Sequence, residues 1–184
     1  MEFRRTEVKD ISSVIIMYNQ AISYLKNQGI NQWQSGYPNE STLRKDMADG
    51  DSYVIESNGK VIASACISFK EDMNYRYIEG GSWQNNHEYA VIHRIVVDES
   101  VKGKGVAKVL MDACEQLCIE RAVDTIRIDT HEENKSMQSM IAKQGFVYCG
   151  TIYLQDGAPR NAYDKVLMFN TINKESDSHA ENFG

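Results

Sequence analysis

The sequence predicts a single α/β domain built on a mixed sheet, and three observations support this. Runs rich in β-branched residues alternate with segments whose apolar residues recur every three or four positions. An Asn-Gly pair between two β-rich runs predicts an antiparallel hairpin. A strand, a helix and a second strand follow one another across residues 89–130, which predicts a parallel pair joined by a right-handed crossover.

The first third of the chain is predicted to form a strand, two helices and the hairpin. Residues 2–6 form the strand, and Asp10 stands where it can cap a helix with an apolar stripe over residues 11–25. A second, shorter helix precedes the hairpin. The pair Asn58-Gly59 joins the two hairpin strands, because a type I′ turn needs a positive φ at both positions.

The remainder of the chain is predicted to alternate strands and helices after a long polar loop over residues 70–88. Loops of this length inside a compact domain are uncommon and usually functional. The helix that starts at Asn134 is expected to stop at Gly145. The predicted elements are a strand over 88–97, a helix from Val106, a strand over 125–130, a helix from Asn134, and two strands over 146–154 and 162–169.

The composition is that of an ordinary globular domain, with 42% hydrophobic and 25% charged residues. The formal net charge of -6 argues against broad nucleic-acid binding and against an anionic membrane surface. No apolar run approaches the roughly 20 residues of a membrane span, and no signal peptide is recognised. We expect residues 1–169 to form the folded domain and the tail over 170–184 to be disordered.

The four cysteines stand in apolar contexts. Cys114 and Cys118 lie four residues apart on a predicted helix, but no second Cys/His pair with zinc-like spacing accompanies them. We therefore expect buried free thiols, no metal site and a location in the reducing cytoplasm.

The stretch KGKGVA combines the features of a phosphate site. Gly103 and Gly105 follow a strand and open a helix, so unpaired backbone N–H groups converge there. Glycine lets the backbone approach an anion, and Lys102 and Lys104 add positive charge. No P-loop pattern is present, and a dinucleotide fingerprint fails because Lys108 occupies the place of its third glycine.

Residues 95–107 resemble motif A of the GNAT superfamily of N-acetyltransferases, whose pattern is Arg/Gln-x-x-Gly-x-Gly/Ala. Lys102 replaces the first residue of that pattern and keeps its charge. The segment ENKSMQSMIAKQGF resembles the family's motif B. The order of elements matches over residues 2–169, so the resemblance implies the GNAT fold: a mixed, mostly antiparallel sheet with a central splayed parallel strand pair and flanking helices.

The resemblance implies that acetyl-CoA donates the acetyl group and fills the gap between the splayed strands. Backbone groups of Ile95 and Val97 are then expected to bind the pantetheine arm. Asn134 is expected to reach the cofactor near its thioester, to cap its helix, or to do both. The residues that the resemblance assigns to the pyrophosphate are Lys102, Gly103, Lys104, Gly105, Val106 and Ala107.

Transfer to an amine needs a base, because an alkylammonium with a pKa near ~10 is not nucleophilic at neutral pH. His93 is the candidate, and its position resembles that of a histidine in the serotonin N-acetyltransferase branch; the alternative is a packed core histidine. Many family members place a tyrosine general acid where this chain has Ile141. Tyr153, Tyr163 or water is therefore expected to protonate the thiolate.

The acceptor is expected to be a small-molecule or peptide amine that contacts the loops varying across the family. Trp33 and Trp83 are the best aromatic candidates, and Glu79, Glu88 or Asp129 can attract a cationic amine. An exposed edge strand in the last hairpin suggests a homodimer. The second interpretation is a GNAT-fold module that binds acyl-CoA without turnover, and a nucleotide-binding protein is disfavoured by the failed glycine patterns.

Overall fold

The computed structural model describes residues 1–168, so the predicted disordered tail lies outside the described residues. Within that range the helices and strands follow one another in the predicted order. They are β1 (Glu2–Arg5), α1 (Ile11–Asn27), α2 (Glu40–Asp49), β2 (Ser52–Ser57), β3 (Lys60–Ser68), β4 (Tyr89–Val97), α3 (Val106–Glu120), β5 (Thr125–Thr130), α4 (Lys135–Lys143), β6 (Val147–Tyr153) and β7 (Pro159–Val166).

All seven strands form one sheet in the order β1-β2-β3-β4-β5-β7-β6. Neighbouring strands pair antiparallel except for β4 and β5, which run parallel and are connected through α3. This parallel pair lies near the centre of the sheet. The predicted mixed, mostly antiparallel sheet is confirmed.

Helices cover both faces of the sheet. On one face α3 and α4 contribute Leu110, Cys114 and Ile141 to the larger core cluster. On the other face α1 and α2 contribute Val14 and Leu43, which pack with side chains of β2, β3 and β4. Each fully buried aliphatic side chain of this size contributes about 1.5–3 kcal/mol. The two cores therefore cover the sheet on both faces.

The local predictions are confirmed at the hairpin and corrected at the first helix. Asn58 and Gly59 have φ values of 52° and 75°, as a type I′ turn requires. The prediction that Asp10 caps α1 is wrong, because its carboxylate makes no bond to the helix amides. It instead accepts two hydrogen bonds from the Arg4 guanidinium, at 2.7 and 3.0 Å. This ion pair fixes β1 against the start of α1.

The last strand begins earlier than predicted, at Pro159. The preceding turn is tighter than its composition indicated, because the Leu154 N–H donates to the Ala158 carbonyl at 3.0 Å. Proline is tolerated at the first residue of a strand, where its missing N–H breaks no interior ladder bond. Arg160, predicted to lie in the turn, is therefore part of the sheet and pairs with Ile152.

The long loop before β4 packs against the outer edge of β6. Glu79 and Thr151 exchange two backbone hydrogen bonds, at 2.8 and 2.9 Å. Trp83 packs on the Arg127 guanidinium at 4.2 Å, and its indole N–H donates to the Tyr75 carbonyl at 3.1 Å. The exposed edge strand that suggested a homodimer, β6, is thus partly covered.

Gly81→Ala is expected to separate this loop from β6. A Cβ at Gly81 would lie 2.0 Å from the carbonyl oxygen of Cys149, a backbone atom that has little room to move. We expect the free energy of unfolding, measured by urea denaturation, to fall by about 3 kcal/mol. Gly157→Ala is the control, because no atom lies within 4 Å of its Cβ position and only its φ of 83° is unfavourable, at about 1 kcal/mol. Equal losses in the two variants would contradict the contact.

The structure also bears on metal binding and on membranes. Cys66, Cys114, Cys118 and Cys149 are buried free thiols. Across residues 1–168, no group of three His, Cys, Asp or Glu side chains is placed to hold a metal ion. None of the helices in this part of the chain is both long enough and apolar enough to cross a membrane.

Candidate functional site

A cleft of about 880 Å³ opens near the centre of the sheet, where β4 and β5 separate. Its walls come from α1 and the loop after it, from β4, from the turn before α3, from the start of α4 and from the β6–β7 turn. A cavity of this size accommodates a cofactor-sized ligand. The predicted site residues that line it are Trp33, His93, Ile95, Val97, Lys102, Gly103, Gly105, Val106, Ala107 and Asn134.

The gap between β4 and β5 exists because their ladder is short. Residues 89–91 pair with residues 125–127, although β4 continues to Val97 and β5 to Thr130. Beyond these pairs, the facing edges of the two strands have no strand partner among the described residues. Unpaired N–H and C=O groups on a strand edge can bind an extended ligand that carries amides. The predicted splay of the parallel pair is confirmed.

A β-bulge in β4 shapes the wall of the cleft. On β4, two residues, Arg94 and Ile95, separate His93 from Val96. On β3, only one residue separates the partners of His93 and Val96, so β4 carries the extra residue. Arg94 has a φ of 53°, and such strain in a non-glycine residue costs about 1–3 kcal/mol. Two hydrogen bonds from its guanidinium to Asp46, at 2.7 and 2.8 Å, hold it in place. Both His93 and Arg94 line the cleft.

The turn between β4 and α3 presents backbone amides at one end of the cleft. Gly103 and Gly105 have φ values of 76° and 79°, which glycine adopts without strain. The first amides of any helix have no intrahelical acceptor, and Gly105, directly before α3, supplies no side-chain acceptor for them. These N–H groups and the helix dipole favour an anion at this end.

The lysines around this turn are not equivalent. Lys102 lines the cleft, and its Nζ lies 4.7 Å from the centre of the Tyr24 ring. Lys104 donates to the Ser100 carbonyl at 3.1 Å and does not line the cleft. Lys108 forms an ion pair within α3. The structure therefore places Lys102, and not Lys104, at the end of the cleft beside the glycine turn.

His93 lies beside a carboxylate on the cleft wall. Its Nε2 is 3.2 Å from Oδ2 of Asp72, and the two side chains are 24% and 21% exposed. Burial opposes ionisation of Asp72, but hydrogen bonds from His93 and from the Asn74 N–H outweigh it and hold the pKa of Asp72 below its ordinary value. Asp72 is therefore ionised at neutral pH, and its carboxylate lies directly beside the His93 ring. An imidazole in this setting can accept and release a proton.

Tyr75 connects His93 to a second carboxylate. Its ring centre lies 6.3 Å from that of His93, and its hydroxyl donates to Oδ2 of Asp129 at 2.6 Å. Burial, followed by the negative charge of Asp129, raises the pKa of Tyr75 well above its ordinary value, so this hydroxyl stays protonated. Among residues 1–168 the other oxygen of Asp129 accepts no hydrogen bond, and Asp129 lines the cleft.

Two further predicted residues, Trp33 and Asn134, also line the cleft. Trp33 has a φ of 61°, which is rare for an aromatic residue. Asn134 caps α4: its Oδ1 accepts from the Met137 N–H at 3.2 Å, and its Nδ2 donates to Gln32 Oε1 at 3.1 Å. The capping role is confirmed, whereas the contact with a cofactor stays a prediction.

Besides Lys104, three further predicted site residues lie away from the cleft. Trp83 is held in the loop over residues 70–88, as described above. The Tyr153 hydroxyl donates to the Glu79 carboxylate. Tyr163 is 8% exposed and packs edge-on against Tyr148, with ring centres 5.6 Å apart. The structure therefore brings neither tyrosine to His93, and Trp83 supports the fold by its packing.

The helix position at which many GNAT members carry a tyrosine faces the core. Ile141 is fully buried in the larger core cluster. The side chains that α4 presents to the cleft are those of Ser136, Met137 and Met140. None of these three residues is a tyrosine, and the thioethers of Met137 and Met140 have no proton to donate.

Several cleft residues were missed by sequence reasoning because only tertiary contacts bring them there. Asp72 comes from the long loop, and Arg94 depends on a bulge that no glycine marks. Arg160 was predicted to lie in a turn. Thr130 ends β5 with a buried hydroxyl that has no hydrogen-bond partner in the described part of the chain.

The mixed sheet opens between its parallel strands beside a glycine turn and a helix start, as the resemblance to the acetyltransferases implied. The sequence profile of the acetyltransferase (GNAT) family matches residues 17–146, which is most of the chain. The chain belongs to this family. Comparison with curated protein sequences gave no significant match.

Solved structures share this fold. A GNAT-family acetyltransferase from Streptococcus agalactiae has a TM-score of 0.83 and 29% identity, covering 91% of this chain and 96% of that chain. A GNAT-family acetyltransferase from Listeria monocytogenes has a TM-score of 0.70 and 21% identity, covering 90% and 94%. The ribosomal-protein-S18-alanine N-acetyltransferase from Escherichia coli has a TM-score of 0.62 and 14% identity, covering 94% and 98%. At the two lower identities the likeness concerns the fold alone.

Proposed function

We propose that the protein is an N-acetyltransferase that moves the acetyl group of acetyl-CoA directly to a primary amine in a ternary complex. One observation carries the proposal: a single cleft joins the amide-rich turn before α3, the unpaired edge of β4 and the pair formed by His93 and Asp72. The turn suits a pyrophosphate, and the strand edge suits an extended chain that carries amides. The pair of His93 and Asp72 suits a proton transfer.

Acetyl-CoA would lie along the unpaired edge of β4. Backbone groups of Ile95 and Val97 would bond the two amides of the pantetheine arm, as a neighbouring strand would. The first amides of α3, together with Lys102, would bind the pyrophosphate. Asn134 would contact the cofactor near its thioester while it caps α4.

His93 would act as the base for the acceptor. It accepts one proton from the ammonium and passes it to solvent, and Asp72 stabilises the imidazolium in between. The amine nitrogen then attacks the thioester carbonyl, so that an N–C bond forms and the C–S bond breaks. The second N–H proton passes to solvent water as the adduct collapses, and the thiolate takes up one proton from the same solvent, so that one proton is released overall. A backbone N–H of β4 would stabilise the oxyanion by about 3 kcal/mol.

A module that binds acyl-CoA without turnover is the second candidate. The observation that favours it is the apolar α4 wall, where Ile141 is buried and Met137 and Met140 face the cleft. The pair formed by His93 and Asp72 favours the enzyme, because a binding module has no need of a base beside the thioester.

We place the reaction in the cytoplasm, with a small-molecule or peptide amine as acceptor. Four buried free thiols agree with a reducing compartment. The carboxylates of Asp72 and Asp129 on the cleft wall agree with a cationic acceptor.

Release of free thiol from acetyl-CoA, measured with a panel of primary amines, tests the proposal. We expect saturable thiol release together with a mass increase of one acetyl group on the acceptor. Enzyme with acetyl-CoA but no amine is the control for hydrolysis and for slow reaction of the buried cysteines. Acetyl-CoA binding without thiol release across the panel would support the binding module and contradict the enzyme.

A further inference from the structure

Arg160 is a buried cation that faces the cleft without a counter-ion. The residue is 9% exposed and lines the cleft from the start of β7. Its Nη1 donates to the Pro159 carbonyl at 2.8 Å. In the described residues, no carboxylate oxygen lies within 4.0 Å of this guanidinium. Asp156, in the adjacent turn, is exposed and accepts from the Ala158 N–H.

The other arginines in the interior pack against or pair with neighbouring side chains, although Arg127 Nε has no hydrogen-bond partner in the described residues. Arg127, which is 4% exposed, lies between the rings of Trp83 and Tyr89, at 4.2 and 3.9 Å. Arg94, which lines the same cleft, is held by Asp46. A buried guanidinium with neither a carboxylate nor an aromatic partner costs free energy, and an anionic ligand removes that cost. Arg160 therefore has the character of an anion site.

Arg160 projects from the same face of the sheet as His93 and Asp129. It pairs with Ile152, whose side chain packs with Tyr75, and paired residues of neighbouring strands share a face. Tyr75 in turn contacts both His93 and Asp129. Arg160 lies on the strand next to that of Asp129, two residues along β7 from the residue that pairs with Asp129. Ordinary strand spacings therefore put the Cα atoms of Asp129 and Arg160 roughly 8 Å apart.

We infer that the acceptor is an amino acid whose carboxylate pairs with Arg160 while its ammonium group lies between Asp129 and His93. The inference rests on the proposed acetyl transfer and names its substrate class. A guanidinium binds a carboxylate through two parallel N–H···O bonds, and the cleft offers carboxylates for the cationic end. A simple amine, an amino-acid amide or a peptide amino terminus would leave Arg160 without an ion pair.

The test compares L-amino acids, each beside its carboxamide, as acceptors in the thiol-release assay. The panel covers glycine, alanine, threonine, methionine and phenylalanine, and unblocked pentapeptides stand for peptide acceptors. We expect kcat/KM for the best free acid to exceed that for its amide by about 10- to 100-fold, because one charged bidentate contact is lost. Arg160→Gln should remove this preference, and Arg160→Lys should restore part of it.

The controls separate this inference from the proposed function. Arg44→Gln makes the same change at an exposed arginine on α2 and should leave the preference unchanged. The acetyl-CoA Kd of each variant, measured by calorimetry, should equal that of the wild type. Amides or peptides accepted as well as free acids, or a preference that survives Arg160→Gln, would overturn the inference and leave acetyl transfer standing. Acetyl-CoA binding without thiol release from any amine would overturn both.

Discussion

Replacing Gly105 with valine is expected to weaken acetyl-CoA binding by at least about 100-fold, which corresponds to about 2.7 kcal/mol. No atom lies within 4 Å of a Cβ built at this residue, which lines the cleft, so the side chain would occupy the space through which a phosphate approaches the helix amides. A titration of the variant with acetyl-CoA gives the loss directly.

A matched control separates this effect from backbone strain. Gly59, in the hairpin turn between β2 and β3, has a φ of 75° against 79° for Gly105, and its Cβ position is equally open. Both valine variants therefore lose stability from the left-handed backbone, at about 1–2 kcal/mol each. Only Gly105→Val should lose acetyl-CoA affinity. Unchanged affinity in Gly105→Val, or equal losses in the two variants, would remove the turn from the phosphate site.

His93→Ala is expected to lower kcat by about 100- to 10,000-fold, which is the usual contribution of a positioned acid–base group. The wild-type rate should fall at acidic pH, because a protonated imidazole accepts no proton, and the variant should lose this acidic limb. Thiol release between about pH 6 and 9 measures both effects. An acetyl-CoA Kd equal to that of the wild type is the control for folding. Wild-type rates across this range would mean that His93 is structural.

Asp72→Asn tests the role of the contact between Asp72 and His93 independently. The lowered pKa of Asp72 keeps it charged throughout the assay range, so its own protonation does not produce the acidic limb. Removing the carboxylate charge takes away the ion-pair partner of His93 and should lower kcat, by less than in His93→Ala. A wild-type kcat in Asp72→Asn would show that the contact of Asp72 with His93 has no role in proton transfer.

Much of the fold was predictable because its signals are local. The Asn58-Gly59 turn, the stripe of α1 and the glycine turn before α3 each follow from residues close together in sequence. The start of β7 was predicted too late, because a hydrogen bond between Leu154 and Ala158 closes a tighter turn than the composition indicated. That shift moved Arg160 from a loop into the sheet.

The candidate site was predictable on its cofactor side and much less so on its acceptor side. The glycine turn lies within one short segment, and the structure brings Lys102, Gly103 and Gly105 to the cleft together. Asp72 and Arg160 come from segments that meet only in the folded sheet. Trp83 was a reasonable aromatic candidate, but its indole packs on Arg127 and away from the cleft. Spacing along the chain carries no information about such contacts.

A calorimetric titration with acetyl-CoA, with ATP and NAD as controls, tests the central claim most directly. We expect one site per chain with a Kd of about 1–100 μM for acetyl-CoA and no measurable binding of either nucleotide at the same concentrations. That result would assign the cleft between β4 and β5 to an acyl-CoA and justify the search for its amine. Absence of acetyl-CoA binding, or equal binding of ATP, would contradict the account.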